Sequence, residues 1–155
     1  MHRLKRLSLA AAVAVTLLAP GPARSDGPFS FFAISPCRAV DTRFGNAPAL
    51  LSGVTRTFQM QGVCGIPVGA KAVAVNATAV SPTNAGYLTL FPSNISQPTV
   101  ATVNFSAGVF ATNNGGIVSL GVALGGDLSV FPFLAGGSGS VDLVLDVTGY
   151  FADPL

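Results

Sequence analysis

The stretch Val141-Asp-Leu-Val-Leu-Asp-Val-Thr-Gly-Tyr-Phe151 near the C-terminus alternates between two kinds of side chain. A two-residue period places successive side chains on opposite faces of a β-strand. The odd-numbered residues, from Val141 through Gly149 to Phe151, are apolar or small and form the predicted core face. The even-numbered residues include Asp142 and Asp146 and form a mixed face. The stretch therefore predicts a long strand with one buried face.

Short runs of β-branched and aromatic residues recur along the whole chain, and no segment after residue 25 shows a helical period. Glycine, proline, asparagine and serine separate these runs, as is typical of strands joined by turns. The pattern predicts an all-β fold: an antiparallel β-sandwich or jelly-roll-like domain of about nine short strands. The predicted strands are Phe29–Ile34, Cys37–Thr42, Thr55–Gln61, Ala70–Val80, Tyr87–Phe91, Val100–Phe105, Ile117–Leu120, Leu128–Phe133 and Val141–Phe151.

Three segments rich in turn-forming residues are predicted chain reversals: Ser81–Gly86, Asn113–Gly116 and Gly136–Ser140. These residues tolerate the backbone angles that tight turns need. The segments Gly86–Pro92 and Gly126–Pro132 also resemble each other in residue type, forty positions apart. We interpret them as equivalent hairpins in the two halves of one sandwich, because forty residues cannot enclose a core alone.

Residues 1–25 have the pattern of a cleaved secretory signal peptide, with the cut expected after Ala23 or after Ser25. Arg3, Lys5 and Arg6 precede an apolar run from Leu7 to Leu18, and small residues follow it. This run is shorter than the eighteen or so residues that a membrane-spanning helix needs, so an anchor is the weaker interpretation. Residues 26–155 are then a single exported β-sandwich domain with no membrane span, secreted and extracellular or held at the cell surface.

Processing changes the charge of the protein. Three of the eight basic residues lie in the first six positions and Arg24 lies at the predicted cut. Cleavage after Ser25 leaves four basic residues beside six acidic ones, a net charge of −2. Nucleic-acid binding depends on neutralising phosphates with Lys and Arg, so a nucleic-acid partner is not expected.

Cys37 and Cys64 are the only cysteines in the chain. In an exported protein a single pair of this kind is most simply a disulfide. The pair lacks a Cys-X-X-Cys spacing and a neighbouring histidine, so a redox or zinc role is not expected.

The chain lacks the side chains on which most enzymes depend. Its one histidine is His2, inside the predicted signal peptide, and it contains no glutamate and no tryptophan. A serine or cysteine nucleophile usually needs a neighbouring base, and only Lys71 remains for that role. We therefore predict no enzymatic activity, no catalytic residues, no cofactor and no metal site. Calcium is the one cation left open, because Asp oxygens suit it, although no Asp-rich calcium loop is present.

Asp146 is predicted to need a positive partner, because apolar and aromatic side chains flank it on its face of the strand. Arg38 and Arg43 lie in another polar strand, beside Asp41. We predict that Asp146 or Asp41 pairs with Arg38 or Arg43 as a structural ion pair. Such a pair specifies strand register more than it adds net stability.

The ordered motifs of the chain resemble an uncharacterised family of secreted bacterial β-domains. The similarity spans essentially all of residues 26–155. It implies export and an all-β domain, and it implies no catalytic activity and no site residues. The motifs are Pro36-Cys-Arg-Ala-Val-Asp-Thr-Arg43, Cys64-Gly-Ile-Pro67, Ala74-Val-Asn-Ala-Thr78, Pro82-Thr-Asn-Ala-Gly-Tyr-Leu-Thr-Leu-Phe-Pro92, Val103-Asn-Phe105 and Asp146-Val-Thr-Gly-Tyr-Phe151.

The exported domain has few charges to keep it soluble as a monomer, so we expect much of its surface to be covered by other molecules. This favours a non-enzymatic structural or cell-surface protein. One form of cover is self-assembly into a homo-oligomer or polymer, with the N-terminal strand added to a neighbouring sheet. In the alternative interpretation, the N-terminal strand pairs with another strand of its own sandwich. The candidate assembly strand carries Phe29, Phe31, Phe32 and Ile34.

Two further functions remain as alternatives. One is an extracellular module that binds carbohydrate or cell wall, although the chain has no tryptophan and its two tyrosines are assigned to the strand core. The other is an acid-dependent hydrolase that uses Asp41 and Asp146, the least favoured of the three.

Overall fold

The computed structural model describes residues 27–121 and 127–154, and these residues form nine β-strands and no helix. The predicted signal peptide lies outside the described residues. Within them, no helix of sufficient length and hydropathy to cross a bilayer is found. The strands are β1 (Ser30–Asp41), β2 (Leu50–Leu51), β3 (Arg56–Phe58), β4 (Ala72–Val80), β5 (Gly86–Pro92), β6 (Val103–Phe105), β7 (Ala111–Ser119), β8 (Leu128–Leu134) and β9 (Ser140–Ala152).

The strands form two antiparallel sheets. Sheet one has the order β1-β9-β4-β7, and the short β2 also pairs with β9. Sheet two has the order β3-β8-β5-β6. The inner faces of the two sheets enclose one apolar core, which confirms the predicted all-β sandwich. The largest fully buried side chains are those of Leu50, Met60, Ile66, Leu88, Leu128, Leu134, Leu143 and Leu145.

Strand β9 is the centre of sheet one, because it pairs with β1 on one side and β4 on the other. Its core face is the predicted one as far as Val147: Leu143, Leu145 and Val147 are fully buried. Asp142 and Asp146 lie on the opposite face, which we call the outer face of sheet one. The alternation in the sequence therefore predicted the core face of this strand correctly as far as Val147.

The alternation fails beyond Val147 because β9 contains a bulge. Val147 pairs with Val75 and Gly149 with Ala74, so Thr148 is an extra residue in β9. An extra residue reverses the face on which every later side chain lies. Tyr150, and not Phe151, therefore packs against the core cluster. The prediction that Gly149 and Phe151 face the core is wrong for this reason.

Strand β1 combines two predicted strands, Phe29–Ile34 and Cys37–Thr42. Its pairing with β9 is irregular between Ala33 and Cys37 and again between Arg38 and Val40. Pro36 lies in the first irregular stretch, where it has no ladder partner. The chain runs on through this break, so the two runs belong to one edge strand of sheet one.

The segment Asn113–Gly116 lies within β7, and the prediction of a turn there is wrong. All nine residues of β7 pair with β4. Two asparagine amides also hold the strand: Asn113 Nδ2 donates to Asn76 Oδ1 at 3.1 Å, and Asn114 Nδ2 donates to the carbonyl of Thr102 at 2.9 Å. Backbone pairing and these amide bonds outweigh the local preference of Asn and Gly for turns.

The described parts of the two similar segments belong to neighbouring strands of one sheet and are not equivalent hairpins in separate halves. Residues Gly86–Pro92 form β5, which pairs antiparallel with β8 from Gly86 opposite Leu134 to Pro92 opposite Leu128. A Cβ atom on Gly86 would overlap the carbonyl oxygen of Phe133. Glycine therefore allows the closest approach of these two strands at the point where β5 begins.

The other two predicted reversals connect the sheets. Residues 81–85 lead from β4 in sheet one to β5 in sheet two, and residues 135–139 lead from β8 back to β9. Gly136 and Gly137 have φ angles of 85° and 71°, which glycine adopts without a steric penalty. Both segments are connections between strands, in agreement with the turn-forming residues they contain.

Candidate functional site

Arg38 and Asp146 lie opposite each other on β1 and β9, on the outer face of sheet one. Arg38 Nε donates to Asp146 Oδ1 at 2.8 Å, and Arg38 Nη2 donates to Asp146 Oδ2 at 3.1 Å. Two parallel hydrogen bonds between a guanidinium and a carboxylate are strong and also fix the relative orientation of the two groups. The pair therefore joins the edge strand β1 to the central strand β9.

Asp41 lies at the end of β1 and is held by the next arginine along the chain. Arg43 donates to its carboxylate from Nε at 2.8 Å and from Nη2 at 2.6 Å, and the Arg43 backbone N–H adds a third bond at 3.2 Å. The pKa of Asp41 is lowered, chiefly by the hydrogen bond from the Arg43 side chain, although burial opposes this effect. The pKa of Arg43 is raised by the same bond.

Arg38 connects the two pairs, because its Nη1 lies 3.5 Å from Asp41 Oδ2. The four predicted residues Arg38, Asp41, Arg43 and Asp146 are therefore one charge network. A general acid must carry a proton, whereas a carboxylate beside a guanidinium is kept charged. The arrangement suits holding strands together, and Asp41, whose pKa is lowered, is poorly suited to act as a general acid.

Asp142 and Thr42 extend this polar region toward the β1–β2 connection. Thr42 Oγ1 donates to Asp142 Oδ1 at 2.8 Å and accepts from the backbone N–H of Leu143 at 2.8 Å. Thr42 is almost completely buried. The Thr42 hydroxyl therefore links the end of β1 to β9 through two hydrogen bonds, one of them to Asp142.

Asp127 is the most deeply buried carboxylate of the described residues, at 2% exposure. It accepts from the backbone N–H groups of Met60 at 2.7 Å and Gln61 at 2.9 Å. Asp127 thus holds the segment that follows β3. Sequence reasoning did not assign it a role. Its position directly before the apolar run of β8 was the one available signal.

In the described part of the chain, no group of three or more His, Cys, Asp or Glu side chains is placed to hold a metal ion. The acidic side chains there are bonded to arginine, threonine, lysine or backbone N–H groups. Calcium coordination needs several oxygen ligands around one point, and these carboxylates are dispersed.

Cys37 and Cys64 form the predicted disulfide, with Cα atoms 5.8 Å apart and a sequence separation of 27. Cys37 lies in β1, and Cys64 lies in the long connection between β3 and β4, residues 59–71. The disulfide therefore attaches that connection to the edge strand of sheet one.

The candidate assembly strand lies in the sheet of its own chain. Phe31, Phe32 and Ile34 belong to β1, which pairs with β9, and Phe29 directly precedes it. Phe31 contacts Phe151 with ring centroids 5.1 Å apart, and Phe32 stacks on Tyr150 at 5.2 Å. This corresponds to the interpretation in which the strand completes its own sandwich.

Tyr87 lies outside the core, contrary to its predicted assignment there. Its neighbours Leu88 and Leu90 are buried, whereas Tyr87 is half-buried on the outer face of sheet two and stacks on Phe133 at 5.1 Å. A cavity of about 320 Å³ adjoins it, lined by Tyr87 and by residues of the β5–β6 connection. The order of small and large residues in Gly86-Tyr-Leu-Thr-Leu was the signal for this placement.

A second cavity of about 350 Å³ lies beside the β3–β4 connection. Its polar lining is already used within the fold: Gln61 Oε1 accepts from Gly69 N at 2.7 Å, and Asp127 holds two backbone groups. Lys71 at its rim lies 3.9 Å from Asp153. The second cavity therefore offers few free polar groups to a ligand.

Comparison with known proteins does not identify the chain. No family model matches it, and no curated protein and no solved structure matches it. The resemblance to secreted bacterial β-domains, read from the sequence motifs, therefore stays a prediction.

Proposed function

We propose that this chain is a secreted, non-enzymatic structural protein of the cell surface. The observation that carries the proposal is the engagement of every charged side chain of the described residues within the fold. Apart from the exposed Lys71–Asp153 pair, side chains held in this way link strands and connections and are poorly placed to transfer protons. The side chains concerned are Arg38, Arg43, Arg56, Lys71, Asp41, Asp127, Asp142, Asp146 and Asp153.

The low charge of the protein also supports this proposal. Charged residues make up 9% of the chain, whereas about 25% is usual in soluble domains. Several large apolar side chains are also exposed, including Val68 at 88% and Phe110 at 83%. Surfaces of this kind are usually covered by other molecules. We infer that the protein works in contact with other material.

Expression of the full chain in a secreting bacterial host tests the proposal. We expect the protein in the medium or on the cell surface, shortened at its N-terminus near residue 25, as measured by intact mass. The purified protein should not turn over chromogenic esters, glycosides or peptides. Turnover that survives purification and is lost in the Asp41→Asn/Asp146→Asn double variant would overturn the non-enzymatic assignment.

Self-assembly through the open edge of β1 is disfavoured by the edge itself. An unpaired edge strand invites a neighbouring chain, and proteins protect such edges with proline and bulges. β1 contains Pro36 and two irregularities in its pairing, and a disulfide attaches a loop to it. Assembly would more readily use the end of sheet one at which Phe44, Leu51 and Phe110 are exposed.

Light scattering of the mature protein over a range of concentrations tests self-assembly. If the apolar end of sheet one is the contact, mass should rise with concentration and the Phe44→Ser/Phe110→Ser double variant should remain monomeric. Val68→Ser is the matched control, because Val68 is equally exposed but lies in the β3–β4 connection. A wild-type protein that stays monomeric at every concentration would remove assembly from the proposal.

A second candidate function is binding to extracellular carbohydrate or cell wall. The specific observation in its favour is the half-exposed Tyr87 beside a cavity, since an aromatic ring with a polar edge suits contact with sugars. Retention on insoluble polysaccharides, compared with retention on bare resin, tests this candidate. Recovery of all the protein in the unbound fraction from every polysaccharide would exclude it.

A further inference from the structure

Three side chains form a row across the outer face of sheet two. Tyr87 on β5 lies directly opposite Phe133 on β8 and directly opposite Asn104 on β6. Residues opposite each other in antiparallel strands project from the same face. The row therefore consists of an apolar ring, a phenol and an amide. It places Tyr87 in the middle, with Phe133 stacked on one side of it.

The cavity is lined by Tyr87 and by the connection that leads into β6, and Phe133, on the strand at the other side of β5, does not line it. The segment that forms the other wall is fixed to β5. Thr89 is fully buried and its Oγ1 donates to the carbonyl of Val100 at 2.6 Å, while Thr102 N donates to the carbonyl of Leu88 at 2.7 Å. The backbone that forms this wall of the cavity is therefore held in place by hydrogen bonds to β5. Its lining residues are Tyr87, Gln97, Pro98, Thr99, Val100 and Ala101.

The polar groups around this cavity are neutral and unoccupied. Within the described residues, the Tyr87 hydroxyl, the Gln97 amide and the Thr99 hydroxyl make no hydrogen bond to protein, and neither does the Asn104 amide. Each of these groups both donates and accepts hydrogen bonds. No charged side chain lines the cavity. The ligand that fits is therefore uncharged, rich in hydroxyl groups and apolar on one face.

We propose that this cavity binds one pyranose ring of a neutral polysaccharide, with Tyr87 as the stacking surface. A pyranose ring presents C–H groups on its faces and hydroxyls at its rim, which matches an aromatic face surrounded by amides and hydroxyls. The volume of about 320 Å³ lies at the lower end of the range for small-molecule sites, as a single-ring subsite requires. Phe133 acts as a positioning residue that supports the Tyr87 ring. This proposal rests on the second candidate function and names its site.

Affinity gel electrophoresis and pull-down test the site with four neutral probes: cellulose, chitin, xylan and β-1,3-glucan. We expect retention on at least one of them. Tyr87→Ala should weaken that retention at least about tenfold, because the stacking surface is lost. Val68→Ala is the matched control: it shortens an exposed apolar side chain of the β3–β4 connection that does not line this cavity, and retention should not change. Thermal unfolding of each variant shows that the fold is intact.

Ionic strength tests the neutrality of the ligand. Retention should persist at about 1 M salt, where screening acts within about 3 Å. Retention that disappears in salt, or that occurs on polygalacturonate and on none of the neutral probes, overturns the proposal.

Tyrosine fluorescence gives a readout at the site itself, because the chain contains two tyrosines and no tryptophan. In Tyr150→Phe, Tyr87 is the remaining tyrosine, and its emission should change when a soluble fragment of the retained polysaccharide is added. In Tyr87→Phe the emission should not change, although the ring and part of the retention remain.

The results of these experiments distinguish an error about the Tyr87 site from an error about carbohydrate binding as a function. Retention that is unchanged in folded Tyr87→Ala overturns this site and leaves carbohydrate binding in place elsewhere on the protein. Absence of retention on every probe, with correctly folded protein, overturns both.

Discussion

Gly149 lies beneath the ring of Phe31 on the outer face of sheet one. A Cβ atom at Gly149 would overlap Cε2 and Cζ of that ring and would stand 2.8 Å from the carbonyl oxygen of Phe32. The ring can move aside, but the backbone oxygen belongs to the β1–β9 ladder and cannot move freely. Glycine at this position therefore lets an aromatic side chain of the edge strand cross the central strand, directly after the bulge at Thr148.

We expect Gly149→Ala to destabilise the protein by about 1–3 kcal/mol, as added atoms do in well-packed sites. The free energy of unfolding in urea measures the effect. Gly116→Ala is the matched control, because Gly116 lies in β7 and a Cβ atom added there would meet nothing within 4 Å. We expect its stability to change by no more than about 0.5 kcal/mol. Equal losses in the two variants would contradict this role of Gly149.

Asp127 gives a second prediction, because it satisfies two backbone donors at once. Asp127→Ala leaves the N–H groups of Met60 and Gln61 without their acceptor, and Met60 is fully buried. We expect a loss of about 2–4 kcal/mol in the free energy of unfolding, since each buried unsatisfied group costs about 1–3 kcal/mol. Asp153→Ala, whose side chain is 73% exposed, should change stability by less than about 0.5 kcal/mol. A loss at Asp127 no larger than this would show that other groups or water hold the two donors.

The general plan of the fold was predictable from side-chain periodicity. Alternation in β9 and β4 reflects strands with distinct faces, and both were predicted close to their observed bounds. The features that were missed depend on distant parts of the chain. β7 forms from Asn and Gly because β4 offers its whole length for pairing, and β2 consists of two residues, too few to show a period.

Some features of the candidate sites were predictable from the sequence, and others were not. The charge network was predicted from the scarcity of cations, because a carboxylate in an apolar strand has few possible partners. The bulge at Thr148 leaves no local signature, so the reversal that turns Gly149 and Phe151 away from the core was missed. The outward placement of Tyr87 had a local signal in the residues around it, whereas the cavity beside it depends on where the β5–β6 connection packs, which only tertiary structure fixes.

Asp41 makes stability depend on pH in the acid range. Its pKa is lowered in the folded protein, chiefly by the Arg43 hydrogen bond, so the unfolded chain binds protons more readily there. The stabilisation is therefore complete above the unfolded pKa, about 3.9, and is lost as the pH falls through the lower folded pKa. We expect the free energy of unfolding to fall on acidification below about pH 5. Asp41→Asn should lower stability at pH 7 and lose little more at pH 2. A constant difference between the two proteins across this range would contradict the assignment.

Asp146 should contribute less than Asp41, because its pair with Arg38 is open to solvent. The exposed fractions are 51% for the Arg38 side chain and 32% for that of Asp146. Exposed pairs contribute about 0.2–1 kcal/mol, so Asp146→Asn should lower the thermal midpoint slightly. A double-mutant cycle with Arg38→Gln should give a coupling energy in that range, reduced at high salt. An unchanged midpoint in Asp146→Asn, or a coupling of zero, would remove the pair as a stabilising contact.

The disulfide should contribute more than any of the ion pairs. Removing it as Cys37→Ser/Cys64→Ser frees a loop of 27 residues in the unfolded chain, and the chain-entropy relation gives a loss of about 3–4 kcal/mol. Urea unfolding measures it, and wild type treated with reductant should behave like the variant. The reductant should have no effect on the variant itself, which is the control.

The disulfide and Asp127 should also be coupled, because both hold the β3–β4 connection. Asp127 bonds Met60 and Gln61 near its start, and Cys64 attaches it to β1 a few residues later. When one attachment is lost, the β3–β4 connection can move, and the other attachment then contributes less to the free energy of unfolding. We therefore expect the triple variant Cys37→Ser/Cys64→Ser/Asp127→Ala to lose less than the sum of the separate losses, by about 0.5–3 kcal/mol. Strict additivity in urea unfolding would show that the two contacts stabilise independent parts of the fold.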